Sequence, residues 1–559
     1  MKPFRTLLTR GLCLALYLST YAAWGAGQVA GGPVDLISEP LLTQGAVAYQ
    51  GTDGLYALYP GRTEPTPILT GSKGTGKILA PRFAKVGERF RAAWIEKAHQ
   101  GNRLFALTAG ADGSFPSEPK PLLEGSPSNH LELWALDDQR LVIPHGAIGK
   151  SPSLALEYST DGGAHFQHSN LPLGDITQLH GFAAIPNGKQ LHLFVHALGD
   201  ANHFIGLINF DAETGSVSAL EPILNTPITP FMVPFLVNGR PGVLYKSYEN
   251  EKFSLRLAVW EPSGWQIAQV GPADGLDVAR VDAVSWPDGR ILLVYSGERR
   301  SLTKQRVFVA LSSDGGQSWT GRQLDSAELA NTRAWLPQVA AVGDRVVVAW
   351  EDARDIRSRI RVQLSSDRGA TWLAQDLPLS QADRYAMRPR IEANTDQIAI
   401  SWQQFRTDAK AEAETVLRTL TWNEVAALAD PPEIQPDRKQ AMLRENVDAY
   451  WQAMEQDNLE TAYGSQDPFY RAGVNFARYA GQRGTIRYHK HEIKDLILRG
   501  NEAAVAVQVN FSVPTLKALG SEQSIPPTDH LVQDTWLFLD GRWYRKHVDG
   551  LTGGSAIQY

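Results

Sequence analysis

Three arginines, Arg82, Arg280 and Arg390, fall at the same position of a unit that recurs along this 559-residue chain. Guanidinium groups brought to one place repel unless they share an anion, and the planar fork of arginine meets a carboxylate with two parallel hydrogen bonds. The chemistry to expect of such a column is recognition of an anionic group. Cleavage would need more. The same arginines could instead be neutralised by Glu132, Asp282 and Glu392 as the lining of a channel. A mixed-charge rim is expected beside them, built from Glu351, Asp352 and Arg354 in "EDARD", from "GERR" at 297–300 and from "QQFR" ending at Arg406.

The elements that must position these residues are short strands in pairs. "PRFAKVGERFRAAW" from Pro81, "PQVAAVGDRVVVAW" from Pro337 and "PRIEANTDQIAISW" from Pro389 each read as strand, tight turn and strand ending on an aromatic. Looser copies begin near Leu131, His180, Val233 and Ala279, giving seven units spaced 46 to 58 residues apart. Two more strand-like runs follow each pair, so a unit holds four strands, the size of one β-propeller blade. The fold expected is an all-β propeller, seven blades by this count with six or eight also open, followed by a small α+β domain. The run "GAVAYQGTDGLYALY" from Gly45 is expected to complete the last blade.

A second periodicity supports this. "YSTDGGAHF", "LSSDGGQSW" and "LSSDRGATW" place Ser159, Asp161, Gly163 and Phe166, then Ser312, Asp314, Gly316 and Trp319, then Ser365, Asp367, Gly369 and Trp372 at the turn between third and fourth strands. Each aspartate can accept hydrogen bonds from its own turn, each glycine can take positive φ, and each aromatic can wedge between sheets. These motifs resemble the Asp boxes of sialidase-like propellers, the bacterial neuraminidase repeats, over roughly residues 45–422. The resemblance implies that the boxes are structural and that a sialidase would use three arginines for its substrate carboxylate, a tyrosine and glutamate as nucleophile pair and an aspartate as acid/base; Tyr385 and Glu132 are the candidates for that pair, no motif marks either, and no residue is assigned as the acid. The Phe/Tyr-Arg-Ile-Pro motif of that family is absent; "PRFA" and "RPRI" are the nearest strings.

Residues 1–25 read as an export signal: Lys2, Arg5 and Arg10 precede the apolar run "GLCLALYLSTYAA", and Ala23-Trp24-Gly25 suits cleavage. The single cysteine, Cys13, lies in that segment, so the mature chain is expected to lack disulfides and thiolate metal sites. The net charge of −6 would fall to about −9 with the leader removed, which gives no basic footprint for nucleic acid. No later run is apolar enough for a membrane helix. The expected location is the periplasm or the cell exterior.

The repeat ends at Trp422, and the proline-rich residues 426–437 read as a linker between the propeller, 26–425, and a C-terminal unit, 438–559. Asp437 is the expected cap of a helix, with Gln440 completing a capping box and Leu443, Val447, Tyr450, Trp451 and Met454 on one buried stripe. "AAVAVQVNFSV" alternates as a strand, and "DTWLFLDGRWYRKHV" reads as a hairpin turning at Asp540-Gly541. Helices followed by long strands and this hairpin resemble the nuclear transport factor two-like cone fold, which implies a pocket between helix and sheet and a route to dimers. His489 and His491 form a pair without a third ligand, so no metal site and no cofactor are read.

Two functions remain open. One is an exported binding or assembly module that holds a glycan, peptide or protein on the propeller face opposite the Asp boxes. The other is an exo-acting glycosidase of sialidase type.

Overall fold

The computed structural model describes residues 27–31 and 41–547, apart from 44, 61, 63, 71–77, 87–88, 98, 100, 111–112, 116–118, 200–201, 226–230, 250–251, 274, 299–304, 326–332, 407–408, 430–433, 483–484 and 519–520. The signal segment with Cys13, Arg299 and Arg300 of "GERR", and Pro431 and Pro432 of the linker lie outside the described residues.

Among the described residues, eight antiparallel sheets precede Trp422. Their innermost strands are Leu41–Thr43, Ile78–Val86, His130–Leu131, Gln178–Asn187, Met232–Val237, Asp277–Ser285, Ala334–Val342 and Arg384–Ala393. We number the blades one to eight in that order. Inner strands of neighbouring blades pack together, the eighth packs against the first, and the chain is a β-propeller. Within blades one to seven the strands follow one another outward in chain order, the arrangement that short hairpin turns enforce.

Seven of these blades are the seven units of the sequence; the additional one, blade one, comes from the run at Gly45. Ala46–Gln50 and Gly54–Leu58 pair with each other and with Leu41–Thr43 to make blade one, rather than completing the last blade. Its inner strand has only three residues, too short to carry the repeating pattern. Blade eight is completed by Gly27–Gly31, which pairs antiparallel with Thr415–Thr419.

The three Ser-x-Asp-x-Gly turns share one hydrogen-bond pattern. Ser159, Ser312 and Ser365 each donate Oγ–H to the aspartate two residues on at 2.8 Å, and each accepts the glycine N–H at 2.8 Å. The N–H groups of His165, Ser318 and Thr371 donate to Asp161, Asp314 and Asp367 at 2.8–2.9 Å. Those bonds hold the carboxyls low: the His165 amide and ring depress Asp161, the Ser318 hydroxyl and amide bring Asp314 to about 2, and the Thr371 hydroxyl and amide lower Asp367. Phe166, Trp319 and Trp372 enter the apolar clusters that join their own blade to the preceding one.

After the propeller, α1 (Trp422–Ala426) carries a capping box in which Thr421 and Glu424 bond each other's backbone amides, an element the repeat count had not foreseen. The long helix α2 (Pro436–Glu455) starts two residues earlier than expected. Pro436 opens it, Gln435 precedes it without a side-chain cap, and Asp437 sits in the first turn instead of capping. Leu443, Val447, Tyr450, Trp451 and Met454 are all buried against Val505, Val507, Val509, Trp536 and Trp543 of a four-stranded sheet spanning Arg487–Arg545. Three short helices, α3 (Leu459–Gly464), α4 (Pro468–Gly473) and α5 (Phe476–Gln482), lie between helix α2 and that sheet in sequence.

The glycines of the aspartate turns differ in what they tolerate. Gly315 and Gly316 both have positive φ, but a Cβ at Gly315 meets nothing within 4 Å while one at Gly316 falls 2.5 Å from Leu257 of the preceding blade. Gly316→Ala should therefore lower the thermal midpoint clearly more than Gly315→Ala, the first combining backbone strain of about 1–3 kcal/mol with a steric clash. A calorimetric comparison of the two variants checks the order.

Candidate functional site

The arginine column is positioned by a backbone device that repeats. Ala80, Leu336 and Arg388 each precede a proline and each take positive φ, at 46°, 53° and 57°. A non-glycine residue before proline rarely adopts that region, so each position marks stored local strain. The inner-strand register shifts there, between Leu79 and Arg82, Trp335 and Gln338, and Met387 and Arg390. Such bulges re-aim the side chains that follow them. Blades two, seven and eight thus present Arg82, Gln338 and Arg390 by the same mechanism, and blade six presents Arg280 after a shift between Val278 and Arg280.

Carboxylates lie close to two of these arginines. Arg82 acts electrostatically on Glu132 and His130 of blade three, and Arg390 acts on Asp282 of blade six. The carboxylates themselves bridge blades. Glu132 Oε2 accepts the Ala184 N–H of blade four at 3.0 Å and the Trp134 indole N–H at 2.7 Å. Asp282 accepts the Val339 N–H of blade seven at 2.9 Å, and Glu392 accepts the Gly45 N–H of blade one at 2.9 Å. From the second strand of blade seven, Glu351 accepts the Arg388 N–H of blade eight at 2.6 Å. Burial pushes Glu132, Glu351 and Glu392 up to about 7 and raises Asp282, in each case against the lowering effect of the bonds they accept.

Tyr385 and Glu132 are not brought together. Tyr385 stacks on Phe405, meets Phe469 of α4 edge-on and has its hydroxyl raised to about 12 by burial. It belongs to the contact between blade eight and the C-terminal unit, whereas Glu132 belongs to the seam between blades three and four.

The "EDARD" segment is an ion network, not an open rim. Arg354 donates to Asp352 and Asp376, Arg361 donates to Asp376 at 2.5 Å, and Arg359 pairs with Asp355 at 3.1 Å. Asp352 and Asp376 are 1% and 0% exposed, so the network lies inside blade seven. Alternation could not reveal this, because a charged residue is expected to face solvent until its partners are known. The network reaches the C-terminal unit: Arg357 forms a bidentate pair with Asp540 at 2.8 and 2.9 Å, and the Asn501 amide donates to Asp355 at 3.2 Å.

Beside that pair opens a cleft of about 500 Å³. Blades seven and eight contribute Arg357, Asp383 and Arg406; the C-terminal unit contributes Tyr463, Pro468, Arg471, Ala472, Asp540 and Tyr544. The blade residues come from connections entering the first strand or leaving the second, which is the face opposite the aspartate turns. Of the rim residues expected from sequence, Arg406 alone lines this cleft. Arg471 and Arg542 lie over the Tyr544 ring at 5.5 and 5.4 Å, a cation and aromatic surface suited to hydroxyl-rich or anionic ligands. Nothing in the spacing of its C-terminal members along the chain ties them to blades seven and eight.

The raised carboxyls fix a direction of pH dependence. A folded-state value near 7 against an unfolded value near 4.5 means that the native chain binds more protons between those limits, so stability falls as pH rises through that window. Glu132→Gln and Glu392→Gln should each reduce the loss of thermal midpoint between pH 5 and pH 8 relative to the wild type, as melting curves across that range would register.

No protein-family model matches the chain, and no curated protein matches it. Solved structures similar to it include the polysaccharide lyase Uly1, at 9% identity and a TM-score of 0.43 over 65% of this chain and 93% of that one. The β-propeller domain of the trilobed protease from Pyrococcus furiosus is similar at 10% identity and a TM-score of 0.39, over 64% and 99%. The NanB sialidase from Streptococcus pneumoniae is similar at 9% identity and a TM-score of 0.33, over 64% and 70%. At these values the likenesses do not bear on what this chain does.

Proposed function

We propose that this chain is an exported, sialidase-like propeller of the Asp-box type with a nuclear transport factor two-like C-terminal unit, and that it binds a glycan, peptide or protein instead of cleaving one. The observation that carries the reading is the cleft between blades seven and eight and the C-terminal unit, which gathers three arginines, two tyrosines and two aspartates on the face opposite the aspartate turns. Its volume falls in the range of small-ligand sites. Of the ligands considered, an acidic oligosaccharide suits it best, since sugar faces stack on tyrosine while guanidinium groups hold carboxylates.

Hydrolysis of sialidase type is the weaker reading. It needs a tyrosine and glutamate across one cavity from three converging arginines, whereas Tyr385 is packed under the C-terminal unit and Glu132 is engaged between blades three and four. Arg82 and Arg390 already have carboxylates near them. Among the described residues no helix is long and apolar enough to cross a membrane. Dimerisation through the C-terminal sheet belongs to this reading, supported by the exposed side chains of Ile497, Ile525 and Leu531.

Purified protein screened against neutral and acidic oligosaccharides should bind an acidic one. Arg471→Ala and Arg406→Ala should each weaken that binding by tenfold or more, the loss of a charge-assisted bond of about 1.5–3 kcal/mol. A fluorogenic sialoside should remain intact. Binding untouched by both substitutions would remove the cleft from consideration, and sialoside turnover abolished by Arg390→Ala would establish the hydrolase.

A further inference from the structure

Blade three holds a second constellation, remote from the cleft. His145 lies on its second strand, Leu141–Ala147, Glu157 on its third, Ser153–Ser159, and His168 on its fourth, Gln167–Asn170. Glu157 and His168 are direct cross-strand partners, and Glu157 is diagonal to His145, which pairs with Ala155. Residues in those relations share one face of a sheet and bring their side chains together. That face is turned to blade two: Ile143, two residues from His145, clusters with Ala93, Ile95 and Leu104 of that blade.

The ligand-bearing atoms of the three side chains lie within 4.8 Å of one another. His145 Nε2 is 3.3 Å and His168 Nδ1 is 2.5 Å from Glu157 Oε1. The far nitrogens are anchored separately. His168 Nε2 donates to Asn170 Oδ1 at 3.1 Å, and His145 Nδ1 lies 2.8 Å from the hydroxyl oxygen of the buried Ser128. Since Oδ1 carries no hydrogen, His168 is fixed in the orientation that turns Nδ1 toward Glu157. A ring whose outer nitrogen is tied to an oxygen while its inner nitrogen faces a carboxylate is the arrangement in which second-shell bonds orient histidine ligands.

We propose that His145 Nε2, the Glu157 carboxylate and His168 Nδ1 form a site for one divalent cation of the zinc class, with Ser128 and Asn170 as its orienting shell. Two imidazoles and one carboxylate are a donor set that zinc accepts, leaving a fourth position for water. His145 and Glu157 are each 4% exposed and His168 is 44% exposed, so two ligands are fixed in the blade and the open position faces the outer edge. The cation would tie three strands of a single blade, independently of whatever occupies the cleft. Sequence spacing hid the site, because the three residues are separated by two hairpins and become neighbours only when the sheet forms.

The test uses the full chain without an affinity tag, stripped with chelator and titrated with zinc chloride by calorimetry, with bound metal counted after dialysis. One zinc per chain is expected, together with a zinc-dependent rise in thermal midpoint. His168→Ala, on a half-exposed edge position, should lose both signals, and Ser128→Ala should weaken binding by about 10–100-fold. Absence of saturable uptake by the wild type would overturn the proposal. So would uptake that His168→Ala leaves unchanged.

Discussion

A ring of separate sheets stays closed only if every seam holds, and here the last seam is made by residues far apart in the chain. Gly27–Gly31 lend the fourth strand to a blade whose other three strands run from Arg384 to Thr421. Backbone ladder bonds thus join the two ends of the propeller. Once closure is imposed, the inner strands must meet around one axis. The sites follow from that meeting.

The seams share a chemical solution. Glu132, Asp282, Glu351 and Glu392 each accept a backbone N–H from the following blade, so side-chain carboxylates take up amides that the irregular inner strands leave without a ladder partner. Burying an ionisable group is costly, and the raised proton affinities of these carboxyls measure that cost. Strain before Pro81, Pro337 and Pro389 is a second cost at the same place. Together they make the hub a structural device first, with its arginines partly neutralised by the groups that hold the ring.

The C-terminal unit adds what the ring alone lacks. Helices and a hairpin set against blades seven and eight make a concave site there. The buried ions of blade seven fix this cover through Arg357 and Asp540, a pair with the arginine buried and the aspartate half-exposed. Losing one partner would leave a charge without compensation, which gives the two parts a defined mutual orientation.

The residue pattern determined strand pairs, turn chemistry and the helix stripe, because period-two alternation, Ser-x-Asp-x-Gly punctuation and i, i+3, i+4 spacing are local consequences of backbone geometry. It also put Arg82, Arg280 and Arg390 on inner strands, where each follows a register shift, since equivalent positions in repeated units occupy equivalent places. It missed blade one, whose three-residue inner strand carries no pattern, and misplaced the helix start at Asp437, where Pro436 supplies the N1 residue without a side-chain cap. Only the tertiary structure decided which charges are buried. "EDARD" reads as solvated until Asp376 and Arg361 arrive from other strands, and the cleft, like the histidine and glutamate cluster of blade three, depends on contacts between segments with no fixed separation along the chain.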